Sequence, residues 1–283
     1  MSDFKLFNEI RSESHYTDTE ISNHKALGIA ESERGVHILW MYPDVLNMHG
    51  SRGDAMALLR FSNIMKLPCT IRRINKLTDE IPFDWADMIF FPSGDLSAVE
   101  DLVKALTPVK QKLKDFINSG KVVFTVGSTG AVFGKGVSYL DGRKVRGLGI
   151  LDMVFRQRQR VSGNDLWINL PEGDELVGVQ IQMADVKLGK DQEAFGKVVY
   201  GRGNNEDGTE GARTKNLIFT HMLGPILVKN PMFTAKLLKL AAKAGGIKAD
   251  DYSLEEKDIS LEMASIEDIK TFIGRKISGE IKW

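Results

Sequence analysis

Val126-Gly127-Ser128-Thr129-Gly130 places two hydroxyls among glycines directly after an apolar run. A strand that meets a helix through small residues can hold a nucleophile on a tight elbow, where bulky neighbours would clash. Thr129 has Gly127 before it and Ala131 after it, whereas Ser128 has Gly130 after it but Val126 before it. Either hydroxyl is a candidate nucleophile; a plain strand–helix connection is the competing reading. A hydroxyl needs a base, and the histidines are His15, His24, His37, His49 and His221. None pair at metal-ligand spacing and no carboxylate cluster accompanies them, so no metal site is expected. The turn is not a phosphate loop. Before Gly134-Lys135, Thr129 stands where the first glycine belongs, and Gly136 follows where a hydroxyl belongs. GNNEDG at 203–208 would put Gly203 and Thr214 at the first and twelfth positions of a calcium loop, and neither supplies a carboxylate. No cofactor is expected.

The elements that must position this turn follow from hydrophobic spacing. Val36 to Tyr42 is a short apolar run between Gly35 and Pro43 and suits a buried strand. Apolar residues recur at helical spacing from Asp54, which stands at the N-cap, to Leu67, and Pro68 ends the element. Residues 70–74 and 88–91 read as further strands. A helix runs from Leu96 to Asn118 with a break near Pro108, and Lys121 to Val126 is a fourth strand. This alternation predicts an α/β fold, a mostly parallel sheet with helices on both faces, whose function sits at the strands' carboxyl ends. Between about 137 and 223 the chain breaks into short strand-like pieces: 145–150, 166–170, 176–183, 197–200 and 217–220. Residues 230–244 form a helix with Asn230 as N-cap and Pro231 at its first position. Residues 1–34 read as a polar N-terminal extension, a mobile arm or partner-binding segment. Residues 35–245 form the main domain, and 246–283 a charged C-terminal extension with a helix over 266–277.

Composition excludes whole classes. The 283 residues carry 38 Lys+Arg and 38 Asp+Glu, with 42% hydrophobic residues. That is a folded chain rather than a disordered one, and its zero balance argues against nucleic-acid binding. Cys69 is the one cysteine, which rules out an internal disulfide scaffold. No apolar run reaches membrane-spanning length and the first residues lack a signal-peptide core, so no membrane insertion and a cytoplasmic location are expected.

Four segments, in order, carry a likeness: MYPDVLNMHGSRGDAMAL (41–58), GLGILDM (147–153), GNNEDGTEG (203–211) and GPILVKNP (224–231). The chain resembles the cobyric-acid-synthase-like (CobB/CobQ-type) class I glutamine amidotransferases over about residues 36–240. Within them it is most similar to the small GatD-type subunits of lipid II isoglutaminyl synthases. The resemblance implies a flavodoxin-like glutaminase domain. Its ammonia would pass to a Mur-ligase-like synthetase subunit that amidates the peptidoglycan stem peptide.

The family's catalytic parts do not carry over. Its nucleophile is a cysteine in a strand–C-G-G turn, and setting that turn on Val126-Gly127-Ser128 puts valine in the thiolate's place. A cysteine–histidine mechanism needs a nucleophilic atom there. The family base is the histidine of L-H-G-P, here Met222-Leu223-Gly224-Pro225, so Leu223 replaces it. His221 would sit on the same strand face about 7 Å away. The glycine run after the third strand reads Pro92-Ser93-Gly94-Asp95, leaving Ser93 or Gly94 to offer an N–H. The stretch lining the glutamine pocket becomes Gly178-Val179-Gln180-Ile181-Gln182. Arg160 matches an arginine that could hold a carboxylate, glutamine's or another small one, with Arg156 and Arg158 beside it.

The expectation is a pseudoenzyme, a degenerate amidotransferase subunit acting as scaffold or binding partner of the synthetase. The alternatives are a hydrolase rebuilt on Ser128 or Thr129 with His221, and a complex that draws on free ammonia.

Overall fold

The computed structural model describes residues 19–281. The expectation of a mobile arm, and His15 with it, falls on residues 1–18 outside that range, and only on 19–34 inside it. There Glu20–Ser22 forms β1, followed by the short helix α1, His24–Leu27.

The main sheet is built from β2 (Val36–Met41), β3 (Cys69–Ile74), β4 (Met88–Phe91), β5 (Val122–Val126) and β13 (Leu217–Thr220). These five run parallel in the order β3-β2-β4-β5-β13. The short strands β1 and β12 (Ala212–Thr214) close its edges antiparallel, on β3 and β13. The alternation predicted the parallel sheet, and five parallel strands in this order are the flavodoxin-like arrangement that the resemblance implies, with the switch in strand direction of travel between β2 and β4. The strands are apolar on both faces because both are covered. On one side Ile38, Trp40, Met88, Phe90, Phe124 and Val126 pack with helices α2 (Ser51–Ile64) and α7 (Pro231–Ala244). On the other, Leu39, Met41, Ile89, Phe91 and Val123 meet α3 (Val99–Leu106) and α4 (Lys110–Asn118). A fully buried Leu or Phe contributes about 1.5–3 kcal/mol, so these two layers dominate the stability. Pro108 lies in the break between α3 and α4, as read from the sequence.

Past β5 a short turn leads to α5 (Gly130–Phe133), then the β6–β7 hairpin (Gly136–Ser138, Lys144–Arg146). The next pieces are not separate strands. They form one long antiparallel hairpin, β8 (Met153–Asn169) and β9 (Glu175–Leu188). Its register breaks between Gln157↔Ala184 and Ser162↔Gln182, so residues 158–161 bulge opposite Met183 alone. The second sheet adds β10 (Gly196–Tyr200), β11 (Thr209–Glu210) and β14 (Met222–Leu223). Residues 147–150, expected as strand, are loop.

Two expected caps do other work. Asp54 lies inside α2, and its carboxyl oxygen accepts the Leu227 N–H at 2.8 Å, at the start of α6 (Ile226–Lys229). Asn230 makes no side-chain cap; its amide clasps β9 by accepting from Val177 N and donating to Val177 O, both 2.9 Å. The last helix, α8, spans Ser260–Ile277 and is tied to β8 by Lys276–Asp165 and to β9 by Lys270–Glu175. Among the described residues no helix is long and apolar enough to cross a membrane.

Candidate functional site

The carboxyl ends of β4, β5 and β13 meet at one point. Val126 pairs with Thr220, so the residues that follow, Gly127 and His221, emerge side by side. Val126 itself is extended (φ −124°, ψ 148°) and fully buried in the core beneath α2 and α7. The sharp turn is made by Gly127, whose φ of +64° is left-handed. The apex of the elbow is therefore Gly127, one residue beyond the valine that the sequence singled out. Strand hydrogen bonding holds Val126 in the sheet, and its side chain packs within the buried core.

What surrounds the apex is specific. A Cβ built on Gly127 would collide with Ser93 Oγ and lie 3.0 Å from Ser93 Cβ and 3.3 Å from Leu223 Cδ2. Ser93 is fixed by its backbone: its N–H donates to Ser51 Oγ at 3.1 Å, and its carbonyl accepts from Met48 N at 3.0 Å. That N–H is thus engaged and not offered to a ligand. Gly94 turns its carbonyl to the Ser128 hydroxyl. Thr129, buried, donates its hydroxyl to Pro92 O at 2.7 Å. Both candidate nucleophiles are thus stapled to the 92–94 turn as donors.

Between these elements lies a cavity of about 10 Å³, room for roughly one water. Ser93, Gly127, Ser128, Phe155, Gln182 and His221 line it. His221 is buried, and its Nε2 has no hydrogen-bond partner. Burial pushes its imidazole down to about 3, against the pull of Asp185, so the ring is neutral. Its backbone N–H donates to Glu210 at 2.6 Å, and Thr220 Oγ1 reaches both Glu210 oxygens at 3.1 Å. Burial pushes the Glu210 carboxyl up to about 7 despite these donors. Leu223, two residues on, is buried and brings only methyl groups.

The remaining expected site residues are not in this cavity. Gln180 spends its amide on Gly203, donating to O at 2.7 Å and accepting from N at 3.1 Å. Its neighbour Gln182 lines the cavity instead. Arg160 stands exposed on the bulge, while Arg158 is fixed to Asp185 at 2.8 Å, as is Arg202 at 3.0 Å. Burial alone would raise the Asp185 carboxyl, but the two arginines outweigh it and hold it low. Cys69 is sealed in β3, its thiol pushed up by burial to about 12. Sequence reasoning missed Phe155 on β8 and Met183 on β9; Gln182 lay within the stretch it read as pocket lining.

A parallel sheet in this order, with an elbow after β5 facing a loop after β4 and a strand end after β13, defines a class I amidotransferase type of domain. The chain belongs to the CobB/CobQ-like glutamine amidotransferase domain family, whose description matches residues 37–231. It is 30% identical over 226 residues to the lipid II isoglutaminyl synthase (glutamine-hydrolyzing) subunit GatD of Staphylococcus aureus, covering 78% of this chain and 92% of that one. It is 25% identical over 211 residues to the GatD subunit of Streptococcus pneumoniae, covering 74% and 81%. A solved glutamine amidotransferase structure superposes with a TM-score of 0.49 at 16% identity, over 74% of this chain and all of that one.

Proposed function

We propose that this chain is an amidotransferase-like subunit without cysteine glutaminase activity, a scaffold or binding partner of a Mur-ligase-like synthetase in the cytoplasm. In this reading residues 35–245 are the amidotransferase-like unit and the flanking segments are extensions. The names of the two GatD relatives support the amidation of a peptidoglycan precursor as the setting. The observation that carries the loss of glutaminase is Gly127. In a strand–C-G-G elbow the nucleophile occupies the strained apex, and here the apex has no side chain. Counting the apex as the nucleophile's place moves the equivalence from Val126 to Gly127. Ser93 and Leu223 fill the space where a thiolate and an imidazole would face each other. Losing nucleophile or base alone removes several orders of magnitude of rate.

A rebuilt hydrolase using Ser128 or Thr129 has less support, because both hydroxyls donate to backbone carbonyls. The purified chain, mixed with L-glutamine, should release ammonium only at the no-protein rate. From cell extract it should co-purify with a Mur-ligase-like protein, and the reconstituted pair should make product from free ammonium and not from glutamine. Steady ammonium release that a single elbow substitution abolishes overturns this reading.

A further inference from the structure

A second, larger cavity lies beside the first, sharing a lining residue with it. Its volume is about 350 Å³, within the roughly 300–1,000 Å³ of small-molecule sites. Met183 lines both cavities. It is the single residue opposite the 158–161 bulge, and bulges commonly re-aim side chains beside sites. The larger cavity opens between the turn after β4, the β6–β7 hairpin and the start of the bulge.

Most of its lining residues are polar, and hydrogen bonds and an ion pair order them. The Asp95 carboxylate accepts the Ser97 N–H at 2.8 Å. The Ser97 hydroxyl and N–H hold that carboxyl below the usual range, so it is anionic at neutral pH. Tyr139 donates its hydroxyl to Leu96 O at 2.8 Å, which fixes the ring as a wall. The Arg143 guanidinium lies 4.8 Å over that ring and pairs with Asp141 at 2.6 Å. Gln157 accepts the Leu140 N–H at 3.0 Å through Oε1, which leaves its NH₂ end as the donor.

Charge selects the guest. Asp141 and Arg143 neutralise each other, and Asp95 remains as the cavity's net charge. A phosphate or other polyanion is disfavoured there, and an ammonium group is favoured. The Gln157 NH₂ and the outer N–H groups of Arg143 suit oxygen acceptors at the guest's other end. We propose that this cleft binds a small zwitterion, an amino acid or dipeptide, with its ammonium on Asp95 and its carboxylate on Gln157 and Arg143. Such binding needs no thiolate and goes beyond the scaffold reading: the subunit would take up a ligand without hydrolysing it.

The test uses the full chain carrying ¹³C-methyl methionine, with the Met183 resonance assigned by Met183→Leu. L-Glutamine and glycyl-L-glutamine should shift that resonance saturably, and N-acetyl-L-glutamine, which lacks the ammonium, should bind at least about tenfold more weakly. Asp95→Asn, which keeps a side-chain oxygen for Ser97, should weaken L-glutamine by a similar factor. Gln157→Glu, which sets a carboxylate against the guest's own, should weaken it in an independent background. No shift by either zwitterion up to ~20 mM, well above the ~1 mM of a weak site, overturns the proposal. So does equal binding of the acetylated probe, or full binding by both variants. Ammonium release from glutamine would overturn the scaffold reading and leave this result untouched.

Discussion

The Ser93 hydroxyl occupies the space that any side chain at residue 127 would enter. The β4 turn and the β5 elbow are therefore a matched pair, one carrying a side chain and the other none. Gly127→Ala should be costly, from both the positive φ and the collision, by about 2–4 kcal/mol. Adding Ser93→Gly should restore the part due to collision, a coupling of about 1–2 kcal/mol. Urea unfolding of the two single variants and the double variant measures it; strictly additive losses would show that the two positions are independent.

Reversal of the proposed loss needs all three positions. Ser93→Gly opens the space, Gly127→Cys supplies a thiol, and Leu223→His supplies a base. The triple variant should release ammonium from L-glutamine above the wild-type background, and Gly127→Cys alone should not, because its thiol would face a serine and a leucine. Continuous ammonium assay checks this; equal rates in both would place the missing chemistry elsewhere.

Asp54 connects pH to stability. Burial lifts its carboxyl from 3.8 to about 8, with the Leu227 N–H opposing. The folded state therefore holds this proton more tightly than the unfolded state. Its contribution is fully present below about 4 and is lost as pH rises through 8. Asp54→Asn keeps an oxygen for Leu227 and removes the ionisation. It should flatten this part of the profile and make the variant more stable than wild type above pH ~8, on the order of 1–3 kcal/mol. Thermal unfolding between pH 5 and 9 gives the two curves, and parallel curves would reject the assignment.

Asp185 holds the bulge in place through Arg158 and Arg202. Asp185→Ala frees two guanidiniums and should speed hydrogen exchange across residues 157–162 several-fold, at a global cost of only about 1 kcal/mol, because all three groups are partly exposed. Exchange unchanged at the bulge would mean that the ladder alone fixes it.

The main sheet was legible because β2, β4 and β5 are apolar on both faces and are separated by stretches of helical spacing. Pro108 marked its own break. The long hairpin was not legible as one unit: the bulge at 158–161 interrupts its alternation, and the arginines there read as solvated loop. The elbow was read one residue early. Val126 and Gly127 look alike as candidates on paper, and only the backbone angle separates the strand's end from the turn. Asp54 and Asn230 had the right residue types for caps, but their partners lie 173 and 53 residues away, which local spacing does not encode. His221 and Leu223 were expected on one strand face, but His221 falls in the break between β13 and β14, and the contact between Leu223 and the apex is a matter of packing.

β1 has one more consequence. Its three residues cover the outer rim of β3, and Asn23 behind it donates to Leu67 O and accepts from Cys69 N at 2.9 and 2.8 Å. A version of the chain begun at residue 35 would leave that rim's amides and carbonyls open to the next molecule. Such a truncated protein should self-associate on standing, so the polar segment ahead of the first parallel strand acts as the sheet's guard against its own kind.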